Sequence, residues 1–204
     1  MSRWSNVTKP NYLLTHSPLT MYHGSSISQN PSKGFAVSLA NEQSAHPVDA
    51  ERLQAAVRSV LEDSEFTSAA ISVAVVDDAT IHALNRRYLE HDWPTDVLSF
   101  VLEQRDGHLE GEVVISADTA AAAAAEVGWS ADEEQLLYVI HGTLHLAGYG
   151  DKSPDEAARM RAAEKDYLLK LNVEEPRSKG FRVEGAAALT EFGTQHIEAG
   201  DQAS

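Results

Sequence analysis

The 204-residue chain has no cysteine. That excludes a disulfide framework, a thiolate metal site and a cysteine nucleophile. It also lacks any apolar run near the roughly 18–20 residues that cross a bilayer. No basic-then-apolar leader pattern opens it, so the expected location is the cytoplasm. Basic residues are scarce: 16 Lys and Arg face 31 Asp and Glu, a net charge of −15. Such a surface repels phosphate backbones at long range. Any work on nucleic acid would need a local cationic site, either a metal ion or a few arginines; otherwise the acid simply keeps the protein soluble.

What is present suits a globular domain with a real core, and the length is short for two such domains. Residues 1–33 are rich in Ser, Asn, Thr and Pro, contain no acid and have no helical or strand period. They read as a disordered extension, with Met21 an alternative start. Residues 176–204 have the composition of a tail, with a short helix expected over 186–192. The domain between, 34–175, holds ten basic and 27 acidic residues. The acid therefore belongs to the folded part.

Within that domain the elements alternate. Phe35, Val37 and Leu39 alternate with small or polar residues, which suits a strand. Asp49 caps a helix with apolar Leu53, Ala56, Val57, Val60 and Leu61. A β-branched run over 70–76 reads as a buried strand, and Asp77 or Asp78 caps a helix to about Leu89. Strands over 97–102 and 112–116 are joined through Arg105-Asp106-Gly107, a turn signal. An alanine-rich helix over 116–127 stops at Gly128. Ser130 and Glu133 form a capping box for a helix to about Gly148. Ser153-Pro154-Asp155-Glu156 opens the last helix, to about Leu171. The order β-α-β-α-β-β-α-α-α implies an α+β fold, one small mixed sheet with helices packed on it.

The chemistry concentrates in His141-Gly142-Thr143-Leu144-His145-Leu146-Ala147-Gly148-Tyr149-Gly150-Asp151. Two histidines four apart on a helix share a face, one turn apart, and can bind one metal ion. Gly148 can end the helix in a left-handed turn. The chain then folds back and brings Asp151 as a third donor. Three protein ligands with one open position suit catalytic zinc, and the same donors suit other divalent ions. A lone histidine pair in an apolar helix is otherwise a hydrogen-bonded core feature. Zinc peptidases of the His-Glu-x-x-His kind place their general base after the first histidine. Gly142 stands there, so that base is absent.

These residues resemble the YbeY family, bacterial zinc-dependent endoribonucleases of ribosomal RNA maturation. The signature His-Gly-x-Leu-His-Leu-x-Gly-Tyr is present from His141. Two further blocks agree in order: Leu84-Asn85-Arg86-Arg87-Tyr88 followed by Pro94-Thr95-Asp96-Val97-Leu98-Ser99-Phe100, and Gly111-Glu112-Val113-Val114-Ile115-Ser116. The resemblance covers about residues 34–172. It implies an α+β fold with the zinc helix beside the sheet, one zinc ion per chain on His141, His145 and Asp151, and a cytoplasmic enzyme that cleaves single-stranded ribosomal RNA. Ribosomal RNA, and ribosomal proteins with it, are the expected partners. Two positions depart from the family pattern: Asp151 stands where a third histidine is usual, after Gly150 in place of aspartate, and Leu89 stands where an arginine often faces the RNA. Arg86 and Arg87 are alternative RNA contacts or solvated charges. Asp96 and Ser99 line the cleft beside the metal or cap a strand start. Tyr149 stacks on a base or packs on the last helix, and His82, His91 and His108 read as isolated surface residues. No catalytic base stands out. The competing readings are a zinc-containing ribosome-assembly partner without catalysis and a zinc peptidase, which Gly142 opposes.

Overall fold

The computed structural model describes residues 33–173 and 187–189. The disordered extension expected over 1–33, Lys33 apart, and the tail expected over 176–204, residues 187–189 apart, lie outside the described residues.

Helix starts follow the caps written in the sequence. Asp49 accepts from the Arg52 backbone N–H at 3.0 Å and opens α1, Ala50–Asp63. Its five apolar positions, Leu53, Ala56, Val57, Val60 and Leu61, are all buried. Asp77 caps α2, Asp78–Leu89, through Thr80 N–H at 2.8 Å. Ser116 caps α3, Ala117–Val127, and Gly128 at φ +80° ends it. Capping boxes open α4, Ala131–Leu146, from Ser130 and Glu133, and α5, Pro154–Lys170, from Ser153 and Glu156. No helix among the described residues is long and apolar enough to cross a membrane.

The strands are β1, Gly34–Asn41, β2, Ser68–Val76, β3, Val97–Arg105, β4, His108–Ser116, and β5, Ala187–Leu189. They form one sheet in the order β1-β2-β4-β3-β5. β1, β2 and β4 are parallel, β3 runs antiparallel to β4, and β5 runs parallel to β3. Asp106 and Gly107 both have positive φ, 49° and 75°. This is what a tight hairpin between right-twisted strands requires. The hairpin strands run further than their apolar alternation implies, because the ladder continues from Glu103 to Arg105 past a bulge after Val101.

Alternate residues of the strands face two helix layers. Ile71, Val73, Val75, Val113 and Ile115 enter the main core with Leu53, Val57, Leu136 and Ile140 of α1 and α4. On the other face Phe100 meets Tyr88 of α2, ring centroids 5.8 Å apart. The α+β architecture with a mixed sheet is as expected. The helix expected over 186–192 is corrected: Ala187–Leu189 is a strand that pairs with Leu98–Phe100. Alanine favours helix locally, but an open strand edge offers its backbone a ladder, and tertiary pairing outweighs a weak propensity.

Candidate metal centre

α4 lies on the sheet at closest range through Gly142. A Cβ built there would stand 2.7 Å from Val113 Cγ1, 2.8 Å from Ser99 Oγ and 3.0 Å from Val97 Cγ2. Only glycine lets the helix come this near. Ser99 Oγ donates to the Gly142 carbonyl at 3.0 Å, strapping helix to strand. The missing peptidase glutamate thus has a steric cause: no side chain fits after His141.

The end of α4 builds the rest. Gly148 takes φ +93°. Its N–H donates to His145 O at 3.0 Å, and the Tyr149 N–H reaches back to Leu144 O at 3.0 Å. This paired closure is the Schellman turn, which favours glycine at the left-handed position. It reverses the chain and delivers two groups at once. The Tyr149 carbonyl accepts from His145 Nδ1 at 2.9 Å. Asp151 Oδ2 comes to 3.6 Å from His145 Nε2. Beside the turn, Gly150 leaves room for the Glu156 carboxylate that caps α5; a Cβ there would meet its Oε1 at 2.8 Å.

His141, His145 and Asp151 each offer one donor atom, and the three atoms lie within 4.8 Å of one another. Both imidazoles are buried, at 3% exposure each. His141 Nδ1 lies 2.5 Å from Glu164 Oε1 of α5. A carbonyl only accepts, so His145 Nδ1 carries the hydrogen, and the Glu164 carboxylate is placed to accept from His141 Nδ1. The two Nε2 atoms face each other 2.9 Å apart. Burial, and next the facing His141, push His145 down to about 4, against the pull of Asp151 and the Tyr149 carbonyl. It is neutral near pH 7. With the Asp151 carboxylate beside the two Nε2 atoms, the residues fit a divalent ion.

Glu164 is absent from the sequence reading. It is 1% exposed, and its Oε2 has no hydrogen-bond partner among the described residues. Metal-bound histidines commonly give their other N–H to such a carboxylate, which fixes the ring and raises its basicity. The signal was available: Met160, Glu164, Tyr167 and Leu168 form the buried face of α5, and a carboxylate on an apolar stripe needs a partner.

Polar groups continue along α4. Glu134, Tyr138, His141 and His145 fall at spacings of four, three and four, one face of the helix. Burial raises Glu134 to about 7, opposed by a hydrogen bond from Tyr138 and reinforced by Asp96. Burial likewise raises the Tyr138 hydroxyl, with Glu134 and Asp96 adding to it. Asp96 is 3% exposed. Burial raises its carboxyl above the ordinary range, against the Val97 N–H, the nearby His141 and the Thr95 hydroxyl.

Of the four residues expected to bind substrate, Asp96 and Ser99 lie beneath the surface. Asp96 Oδ1 accepts from Val97 N–H at 2.9 Å and Thr95 Oγ1 at 3.1 Å, and Ser99 holds Gly142. Arg86 and Arg87 stand exposed on the last turn of α2. Arg86 is 3.9 Å from Asp92, and the Arg87 guanidinium lies 5.4 Å from the Tyr88 ring centroid. The histidines read as isolated are not: His82 pairs with Asp92 at 3.0 Å, His108 with Ser68 at 2.8 Å, and His91 stacks on Trp93. Short acidic, hydroxyl or aromatic neighbours in loops and edges supply these partners, which periodicity does not reveal. Tyr149 is 38% exposed and lines a hollow with Ala163 and Tyr167 of α5.

The family model of endoribonuclease YbeY matches residues 38–172. An endoribonuclease YbeY of Rhodopirellula baltica is 47% identical over 110 residues, 53% of this chain and 57% of that protein's own length. One of Syntrophotalea carbinolica is 34% identical over 145 residues, 68% of this chain and 97% of its own. The solution structure of TM1509 from Thermotoga maritima aligns with 71% of this chain and 99% of its own, at a TM-score of 0.47 and 23% identity. The match spans the five described helices, β2 to β4 and the second half of β1, with the histidine pair and its glycine turn inside it, and the chain belongs to the endoribonuclease YbeY family.

Proposed function

We propose that this chain is a single-strand-specific, zinc-dependent endoribonuclease that hydrolyses RNA phosphodiester bonds in the maturation of small-subunit ribosomal RNA and in ribosome biogenesis, in the cytoplasm. The observation that carries the reading is the pair of Nε2 atoms on α4, grouped with Asp151 so that the three donor atoms lie within 4.8 Å of one another. Two imidazoles and a carboxylate suit zinc and leave a fourth position. A bound ion would supply an acidified water and draw charge from a phosphate oxygen. His141, His145 and Asp151 would hold it. Glu164 keeps the hydrogen of His141 on Nδ1, and the Tyr149 carbonyl does the same for His145. Arg86 and Arg87 bind phosphates, giving an acidic molecule the local positive charge that RNA needs. Asp96 and Ser99 form the floor of the cleft and fix α4 against β3. A peptidase reading has no support, since Gly142 leaves no space for the base.

The test combines metal analysis with cleavage of a ribosomal RNA fragment holding both single-stranded and paired segments. The expected result is one zinc per chain and cleavage in the single-stranded segments, lost with chelator and restored by zinc. Asp151→Ala should lose zinc at micromolar free metal while keeping its helix content, and Asp151→His should retain it. An alanine variant that keeps stoichiometric zinc would remove Asp151 from the ligand set. Zinc-loaded protein that binds a ribosomal protein yet cuts no RNA would replace this reading by the assembly-partner one, which the net charge of −15 favours.

A further inference from the structure

Among the described residues Trp93 is the most exposed of the large apolar side chains, at 54%. A half-exposed indole is suited to meet a partner. The His91 ring stacks on it nearly parallel, centroids 4.5 Å apart and planes 14° apart.

The loop that carries the two rings is held at both ends. Glu90 takes the left-handed conformation, φ 60°, and its N–H donates to Asn85 O. The Asn85 side chain is fully buried, and its Nδ2 donates to the Trp93 carbonyl at 2.8 Å. The backbone is therefore fixed while the rings project. Arg86 and Arg87 stand on the adjoining helix turn, with Arg86 close enough to pair weakly with Asp92 between the two rings' residues. Trp93 is also three residues before Asp96, at most about 10 Å of chain. Asp96 is within electrostatic reach of His141. A rigid aromatic face and two cations thus lie along one short stretch, residues 86–93, which runs on to Asp96.

We propose that the His91–Trp93 pair is a stacking platform for an unpaired RNA base, with Arg86 and Arg87 taking the flanking phosphates and the neighbouring backbone led towards the histidine pair. The proposal rests on the ribonuclease reading and deepens it. Every base has a π-face, so an aromatic platform binds single strands with little sequence preference. In a duplex those faces are already stacked. The platform therefore gives selection for single strands a physical source.

The test uses the full zinc-loaded chain and labelled 2′-O-methyl 12-mers of uridine and adenosine, with a 12-base-pair RNA duplex as control. Trp93→Ala should weaken binding of both single strands about tenfold and leave duplex binding unchanged. Trp93→Phe should retain most of the affinity. The wild type should show fluorescence quenching on adding the single strand that Trp93→Phe lacks, since Trp4 and Trp129 remain in both. Equal single-strand affinity in wild type and Trp93→Ala overturns the platform and leaves the ribonuclease reading intact. An equal loss on single strand and duplex overturns base stacking in favour of a general charge effect. Loss of ribosomal-protein binding with unchanged RNA affinity reassigns the surface to a protein. A wild type that neither binds nor cuts single strands removes the ribonuclease reading, and the platform with it.

Discussion

His141 and His145 each have one ring nitrogen committed to an acceptor, and the acceptors differ in kind. His145 meets a neutral carbonyl, whereas His141 meets a buried carboxylate with one oxygen unpartnered. That charge is costly without a cation nearby. Glu164→Gln keeps an acceptor for Nδ1–H but removes the charge. It should weaken zinc binding about tenfold, and Glu164→Ala, which loses the acceptor too, by up to about 100-fold. Chelator competition reads both. The metal-free Gln variant should melt no lower than metal-free wild type, because a buried carboxylate oxygen without a partner has gone. A Gln variant with wild-type zinc affinity would leave Glu164 without a role at the metal. Glu112 gives a separate test on β4. Burial, with Glu42 adding repulsion, raises it from 4.5 to about 7. The fold favours the neutral form, so its contribution is full below pH about 4.5 and is lost as pH rises through 7. Glu112→Gln should therefore match wild type near pH 5 and melt several degrees higher at pH 8. A gap that is the same at both values would show that Glu112 does not titrate in this range.

Among the elements, α4 makes the strongest link between packing and chemistry. Gly142 normally would lower helix stability by about 1 kcal/mol relative to alanine. Here the added methyl would overlap the branched side chains of Val113 and Val97, which are buried and cannot swing away. Overpacking of this kind costs about 1–3 kcal/mol. Gly142→Ala should lower Tm and weaken zinc binding as α4 shifts from β3; a raised Tm would show that the helix moves off without loss. Most element starts were readable because caps act locally: Asp49, Asp77, Ser130 and Ser153 each hold backbone N–H groups within three residues. The Asp106-Gly107 hairpin was readable for the same reason, and so was the grouping of His141, His145 and Asp151, which lie within one helix end and its turn. Glu164 and β5 were not. Their partners, His141 and Leu98–Phe100, are 23 and about 90 residues away, and no local pattern encodes such a meeting. Trp93 and His91 were missed because stacking in a loop has no period.

At the scale of the whole molecule, charge decides how RNA arrives. A net −15 makes the long-range term repulsive. Most RNA enzymes lose activity as salt screens phosphate contacts. For this chain moderate salt should first help encounter, before the contacts at Arg86, Arg87 and the metal are screened in turn. Cleavage rate against salt should show a maximum or plateau; a steep fall from the lowest salt would mean that a local basic groove dominates.

The short pairing of Ala187–Leu189 with Leu98–Phe100 has a colloidal consequence. β3 carries the strap to Gly142 on its Ser99, and β5 covers its outer edge. A chain cut at residue 175 would retain every metal donor but leave that edge bare. Bare, apolar strand edges recruit other chains. Such a truncation should bind zinc normally when dilute and then associate as its concentration rises, visible as a concentration-dependent sedimentation coefficient that the full chain lacks. Late residues would thus guard the protein against itself, at the flank of the element on which its chemistry rests.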